Sequence, residues 1–162
     1  MSLPFFSPSR PLLAKGDGIP DVTTADDTGT PVALGDLARD GSLVVFFYPM
    51  SGTPGCTRQA CSLRDAFDDM AGLGLAVVGV CRDAPEALAR FKERRQLPFP
   101  LLSDPDGLVA GAFGVGTIFG VLRRSAFLFY QGMLVWSDLK ASTANQSKDI
   151  LTAMAEHLGR ES

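Results

Sequence analysis

The stretch Leu43–Pro49, LVVFFYP, followed by MSGTPG (50–55) and CTRQACSLRDAFDDM (56–70), decides the fold. An unbroken run of apolar β-branched and aromatic residues is the pattern of a strand buried on both faces of a parallel sheet. The Gly- and Pro-containing passage after it reads as a turn. From Cys56 onward, Leu63, Phe67 and Met70 recur at helical spacing, which predicts a helix over 56–70 with one apolar stripe. The unit is a buried strand, a tight turn and a helix that opens on a cysteine.

Working outward, LAVVGV (Leu75–Val80) predicts a second buried strand, and Pro85–Arg95 an amphipathic helix carrying Leu88 and Phe91. LPFPLLSDPDG then ends a short strand in a turn, and a short helix follows near Leu108–Phe113. SAFLFY and MLVWS, with only Gln131 and Gly132 between them, read as a β-hairpin. Ile150, Leu151, Met154 and Leu158 mark one face of a last helix. This order predicts an α/β class: a mixed central β-sheet with helices on both faces, as in a thioredoxin-like architecture and in other α/β sandwiches. Residues 1–14, interrupted by prolines and lacking a charged start or a long apolar core, are expected to be a poorly ordered arm and not a targeting peptide. Residues 15–162 are expected to form a single domain.

The 162 residues carry 15 basic and 18 acidic side chains, a formal charge of −3, and 46% of them are hydrophobic. That combination excludes intrinsic disorder. No apolar stretch approaches the ~18 residues needed to span a bilayer as a helix. Without a basic block, nucleic acid is not an expected partner. The three cysteines, Cys56, Cys61 and Cys81, are too few for a secreted disulfide scaffold, and with His157 they match no zinc spacing. Few cysteines and no export signal point to a reducing, cytoplasmic compartment, where cysteine pairs tend to be catalytic.

Cys56 falls where free backbone N–H groups and the positive end of the helix dipole lie, and both favour the reactive thiolate. Thr53 and Thr57 add hydroxyls that can donate to a sulfur or an incoming oxygen. The flanking turn residues predict a partly exposed thiol in preference to a small buried hydrophobe. Cys61 follows five residues later. On an intact helix the two Cα atoms lie roughly 8.7 Å apart, beyond the ~7 Å a disulfide tolerates. If the two pair, the first turns of the helix must unwind; geometry leaves pairing and a simple packed thiol equally open.

The spacing Pro49-x-x-x-Thr53-x-x-Cys56 within FYPMSGTPGCT resembles the active-site signature of peroxiredoxins in the AhpC/TSA superfamily. The wider context is similar to the peroxiredoxin Q, or bacterioferritin comigratory protein, group. GDGIPDVTTADDTGTPVALGDL resembles its N-terminal β-hairpin region, and VVGVCRDAPEALARFKERRQLPFPLLSDPDGLVAGAFGV the segment after its active-site helix. The likeness runs from about Gly16 to Leu158. It implies a thioredoxin-like fold and a thiol peroxidase acting on hydrogen peroxide and organic hydroperoxides, without metal, haem or flavin. Cys56 then matches the peroxidatic cysteine, which becomes a sulfenic acid. Cys61 matches the resolving cysteine of one branch of the group, giving an intramolecular disulfide that a thioredoxin-type reductant reopens. Arg124 in RSAFLF matches the family's arginine, with Arg123 as the adjacent fallback. A guanidinium near Cys56 would stabilise thiolate and hold the peroxide oxygen. Thr53 would orient the peroxide, and Pro49 and Pro54 would shape the pocket. The resemblance implies a monomer, with a weak homodimer as the alternative.

Four departures stand out. Gln59 replaces a glutamate, Cys81 replaces a serine and is expected to be a buried strand-end residue, and Tyr130 replaces an acidic residue. The segment between Val115 and Arg123 is shorter than in many relatives. The alternatives to an enzyme of this type are a thiol–disulfide reductase, which the Cys56–Cys61 spacing disfavours, and a redox-sensing module that signals by helix unwinding. Gly111, Gly114, Gly116 and Gly120 form no dinucleotide fingerprint. A cysteine hydrolase needs a histidine base, and His157 is the single histidine. His157 is expected at the surface or an interface, Trp136 in the core or facing a partner, and Asp104 and Asp106 in a solvated turn.

Overall fold

The computed structural model describes residues 12–118, 121–140 and 145–161. Most of the arm expected over residues 1–14 thus lies outside the described residues. Leu13, within that span, is buried and donates its N–H to the carbonyl of Phe113 at 3.1 Å.

Two short strands, β1 (Thr23–Ala25) and β2 (Pro31–Ala33), pair antiparallel. The carboxylate of Asp26 closes their loop by accepting the N–H groups of Thr28 (2.9 Å) and Thr30 (3.0 Å), a turn that Asp is suited to make. This is the expected N-terminal hairpin. A single 3-10 turn at Leu34–Leu37 leads to β3 (Leu43–Phe47).

All five β3 side chains are fully buried. Val44 and Phe46 enter one core cluster, and Leu43, Val45 and Phe47 the other. Each contributes about 1.5–3 kcal/mol of burial. The predicted helix over 56–70 is instead two, α1 (Pro54–Asp65) and α2 (Phe67–Gly72). Ala66, at φ −101° and ψ 9°, breaks the ladder. The second segment is re-aimed so that Phe67 meets the ring of Phe99 at 6.4 Å and Met70 is buried.

Then come β4 (Ala76–Cys81), α3 (Pro85–Arg95), β5 (Leu101–Ser103) and α4 (Leu108–Phe113). A small antiparallel pair, β6 (Thr117–Ile118) and β7 (Val121–Leu122), precedes β8 (Ser125–Tyr130) and β9 (Met133–Asp138). Residues 119 and 120 of the shortened connection are outside the described residues. The chain ends in α5 (Gln146–Glu161).

The central sheet has the order β5-β4-β3-β8-β9, parallel across β5, β4 and β3 and antiparallel at β8 and β9. Gln131 (φ 50°) and Gly132 (φ 90°) make the tight β8–β9 turn, both at the positive φ that a two-residue hairpin loop requires. At Gly79 in β4, a Cβ would lie 2.6 Å from the ring of Phe46, so only glycine lets that ring cross the strand. Helices α1, α2, α3 and α5 cover one face, and α4 with the 3-10 turn covers the other. The sheet is mixed and covered on both faces, as the sequence predicts.

Candidate active site

The site forms where β3 gives way to α1. After Phe47, Tyr48 continues the ladder by donating its N–H to the carbonyl of Val80. The loop is then tied down twice: Ser51 N–H donates to the Asp83 carboxylate at 2.8 Å, and Thr53 Oγ1 donates to the Met50 carbonyl at 3.2 Å. Pro54 occupies the first helical position, where its fixed φ suits the helix and its missing N–H costs nothing. Thr53 is the N-cap, yet its side chain makes no capping bond. The first-turn amides are therefore available around Cys56, the third residue of α1.

Cys56 is 1% exposed. This corrects the expectation of a partly exposed thiol, because the turn residues beside it are polar while the helix seats the sulfur in the core cluster. Apolar seclusion is nevertheless not its environment. Arg124 Nη2 donates to Cys56 Sγ at 3.4 Å, and Arg124 Nη1 donates to Gln59 Oε1 at 2.7 Å. The register explains the approach: Phe47 pairs with Ser125, so the residue before Ser125 stands beside the chain just as it leaves β3. Arg123 instead borders a separate cavity of about 180 Å³ with Leu12, Val115 and Leu139.

Gln59 passes the contact on. Its Nε2 donates to Gln146 Oε1, at the start of α5, at 2.8 Å, and both glutamines are fully buried. One turn further along α1, Ser62 Oγ and Ser147 Oγ lie 2.8 Å apart. Sequence reasoning missed Gln146 altogether, since nothing local marks a partner 87 residues away from Gln59.

The other expected residues are placed as follows. Cys61 is half-buried on α1, and all three cysteines are free thiols. Pro49 is half-buried, and its carbonyl accepts the Cys81 thiol at 3.8 Å. Pro54 is exposed. The Thr57 hydroxyl is buried without a partner among the described residues. Cys81 is fully buried at the end of β4, and burial pushes its thiol up to about 12. Burial likewise raises the Tyr48 phenol well above its ordinary value, helped by its nearness to Cys81.

Asp104 overturns an expectation. It is 1% exposed and not in a solvated turn. Its carboxylate accepts the N–H groups of Val109 and Ala110, each at 2.9 Å, so it caps α4 from outside the helix. His157 is half-buried with its ring 5.2 Å from that of Tyr130, and Trp136 is half-buried against the core.

Residues 15–137 match the AhpC/TSA family. The chain belongs to that family. Peroxiredoxin Bcp of Escherichia coli K12 is 38% identical over 155 residues, covering 90% of this chain and 97% of the relative. The crystal structure of peroxidoxin BcpB from Mycobacterium tuberculosis superposes with a TM-score of 0.80 at 34% identity, over 88% of this chain and 96% of that one. The bacterioferritin comigratory protein of Xanthomonas campestris does so at 0.76 and 28%, over 84% and 91%. This AhpC/TSA member has the thioredoxin-like fold of those peroxiredoxins and is a thiol-dependent peroxidase. No helix among its described residues is long and apolar enough to cross a membrane.

Proposed function

We propose that Cys56 is the peroxidatic thiol, Cys61 the resolving thiol, Arg124 and Thr53 the groups that hold the peroxide, and Pro49 a residue that shapes its pocket. The observation that carries this reading is the guanidinium of Arg124 donating to Cys56 Sγ at the uncapped start of α1. An anionic sulfur there faces a permanent cation and free amides, so its charge is compensated without water.

The Cys56 thiolate attacks one oxygen of the hydroperoxide. An S–O bond forms, the O–O bond breaks, and the departing alkoxide or hydroxide takes a proton to leave as alcohol or water; Cys56 becomes a sulfenic acid. The Arg124 donors and the first-turn amides meet the charge that develops on the leaving oxygen. The Thr53 hydroxyl, which donates to Met50 at rest, can redirect its donor to the peroxide. Cys61 then attacks the sulfenic sulfur as thiolate: the S–S bond forms, the S–O bond breaks, and hydroxide leaves as water. A thioredoxin-type dithiol reduces the disulfide and is itself oxidised.

Burial of Cys56 explains why a second cysteine is needed. The small O–O end of a hydroperoxide can reach a sulfur under that cover, whereas a protein reductant cannot. Unwinding of α1, which the Cys56–Cys61 bond requires, brings the oxidised sulfur out to the reductant. The X. campestris relative is known by its alkyl peroxide reduction, and organic hydroperoxides besides hydrogen peroxide are assigned to this chain on that likeness. We place the protein in the cytoplasm as a monomer.

The test is peptide mapping of all three thiols after one equivalent of hydrogen peroxide. A Cys56–Cys61 linkage with Cys81 still reduced is expected. A linkage to Cys81, or none at all, would overturn the resolving assignment.

A further inference from the structure

The contacts behind Arg124 have a direction that chemistry imposes. Arginine carries only donors, so Gln59 must turn its oxygen to Arg124 and its NH₂ away. Gln146 must therefore present its own oxygen to Gln59, which leaves Gln146 Nε2 buried with no partner among the described residues. An amide free to turn would satisfy that donor. It is held the other way round because the chain begins at a cation.

The chain also has a fixed end and a movable end. Gln146 belongs to α5, anchored by the fully buried Ile150 and Met154. Gln59 belongs to the 56–61 stretch that must unwind if Cys61 is to reach Cys56. The second contact across the same seam, Ser62 to Ser147, sits one turn further along α1, and the Ser147 N–H also donates to Ser62 Oγ at 3.1 Å. Both contacts exist only while α1 is wound. Peroxide attack uses the wound helix, with the sulfur beside Arg124; disulfide formation uses the unwound one.

We propose that Gln146 is a positioning residue that holds Arg124 against Cys56 through Gln59, and that parting of the Gln59–Gln146 and Ser62–Ser147 contacts gates the unwinding of α1. This rests on the assignment of Cys56 and Cys61 above. The two effects have opposite signs: without the contact, sulfenic acid forms more slowly and the disulfide closes faster. General loosening of the fold lacks that dependence on one acceptor oxygen.

The experiment measures both rates in wild type, Gln146→Met, Gln59→Met, the Gln59→Met/Gln146→Met double variant and Ser62→Ala, with over-oxidised Cys56 followed by mass spectrometry as peroxide is raised. Gln146→Met keeps the volume and removes the acceptor, and each rate should shift about fivefold, the worth of one hydrogen bond. Over-oxidation of that variant should then need more peroxide. The double variant should match Gln59→Met in both rates, because Gln146 acts only through Gln59. Ser62→Ala removes both bonds to Ser147 and should speed closure while leaving sulfenic acid formation alone. Unchanged rates in Gln146→Met, both rates falling together, or a Gln146→Met effect that persists undiminished in the Gln59→Met background would overturn the proposal. Should Gln146→Met fail to fold, Ser62→Ala still decides the gate: unchanged closure overturns it. Wild type that forms no Cys56–Cys61 bond would refute the underlying assignment instead, and the gate with it.

Discussion

Cys56 and Cys81 are two thiols of almost equal burial, 1% and 0% exposed, in one core cluster. What they touch divides them. Cys56 lies in the first turn of a helix whose first amides are uncapped and receives a guanidinium donor. Cys81 ends a strand, donates to the Pro49 carbonyl and lies beside the Asp83 carboxylate; burial, together with these, holds its proton on against the Asp83 amide and the Ser51 hydroxyl. Both have hydrogen-bond donors nearby, so the contrast proposed between them rests on the charge in contact, a guanidinium at Cys56 and a carboxylate at Cys81. The most severe way to break the comparison is to remove each sulfur in turn. Cys56→Ser should abolish peroxide consumption in a coupled thioredoxin assay, whereas Cys81→Ser should turn over at the wild-type rate. Comparable losses in the two variants would put the distinction in the wrong place.

A narrower probe removes the donor and keeps the sulfur. Arg124→Met should slow sulfenic acid formation about 10²–10³-fold, the usual effect of deleting one preorganised donor at a developing charge. Arg124→Lys should recover part of this, because a lysine keeps the charge but cannot fork to Cys56 Sγ and Gln59 Oε1 together. Single-turnover kinetics with limiting peroxide would read both. If Arg124→Met reacts at the wild-type rate, the helix amides suffice and the guanidinium contact is incidental.

The two thiols also show which parts of the molecule the sequence carries. Strand, turn and helix around Cys56 were legible, as were α3 and the β8–β9 hairpin, because apolar period, proline at a first helical position and a Gln-Gly turn are local signals. Burial was not. Polar neighbours in the chain suggested an exposed Cys56 and a solvated Asp104, yet both are covered by residues remote in sequence. Arg124 read locally as a strand-end charge, and only the family likeness singled it out. The β3–β8 register is what brings it to the sulfur. Gln146 had no signal at all, since a buried amide chain is defined by its partners.

Asp104 supports the sealed side of the comparison. Its N–H donates to the Cys81 carbonyl at 2.8 Å while its carboxylate caps α4. Asp104→Ala should cost about 1–2 kcal/mol and lower the urea midpoint without slowing sulfenic acid formation, since its hydrogen bonds among the described residues run to Cys81, Gly107 and α4 and none to Cys56 or Arg124. A parallel fall in the peroxide rate would mean that the sealed and reactive regions are mechanically joined.

The smallest expected effect tests the sealing of Cys81 itself. Its folded-state thiol is pushed from an ordinary 9.0 to about 12 by burial. Below 9.0 both folded and unfolded chains keep this proton, and its contribution to stability is fully present. Between 9.0 and about 12 the unfolded chain releases the proton while the folded chain retains it, so stability falls as pH rises. The buried Tyr48 phenol, raised in the same direction, adds a decline of its own at higher pH. Cys81→Ala removes the first contribution and leaves the second. Its urea midpoint should therefore drop less than that of wild type between a pH just below 9.0 and one midway to 12. Equal drops in the two proteins would mean that Cys81 titrates like a thiol in water, and its contrast with Cys56 would then have to rest on the guanidinium alone.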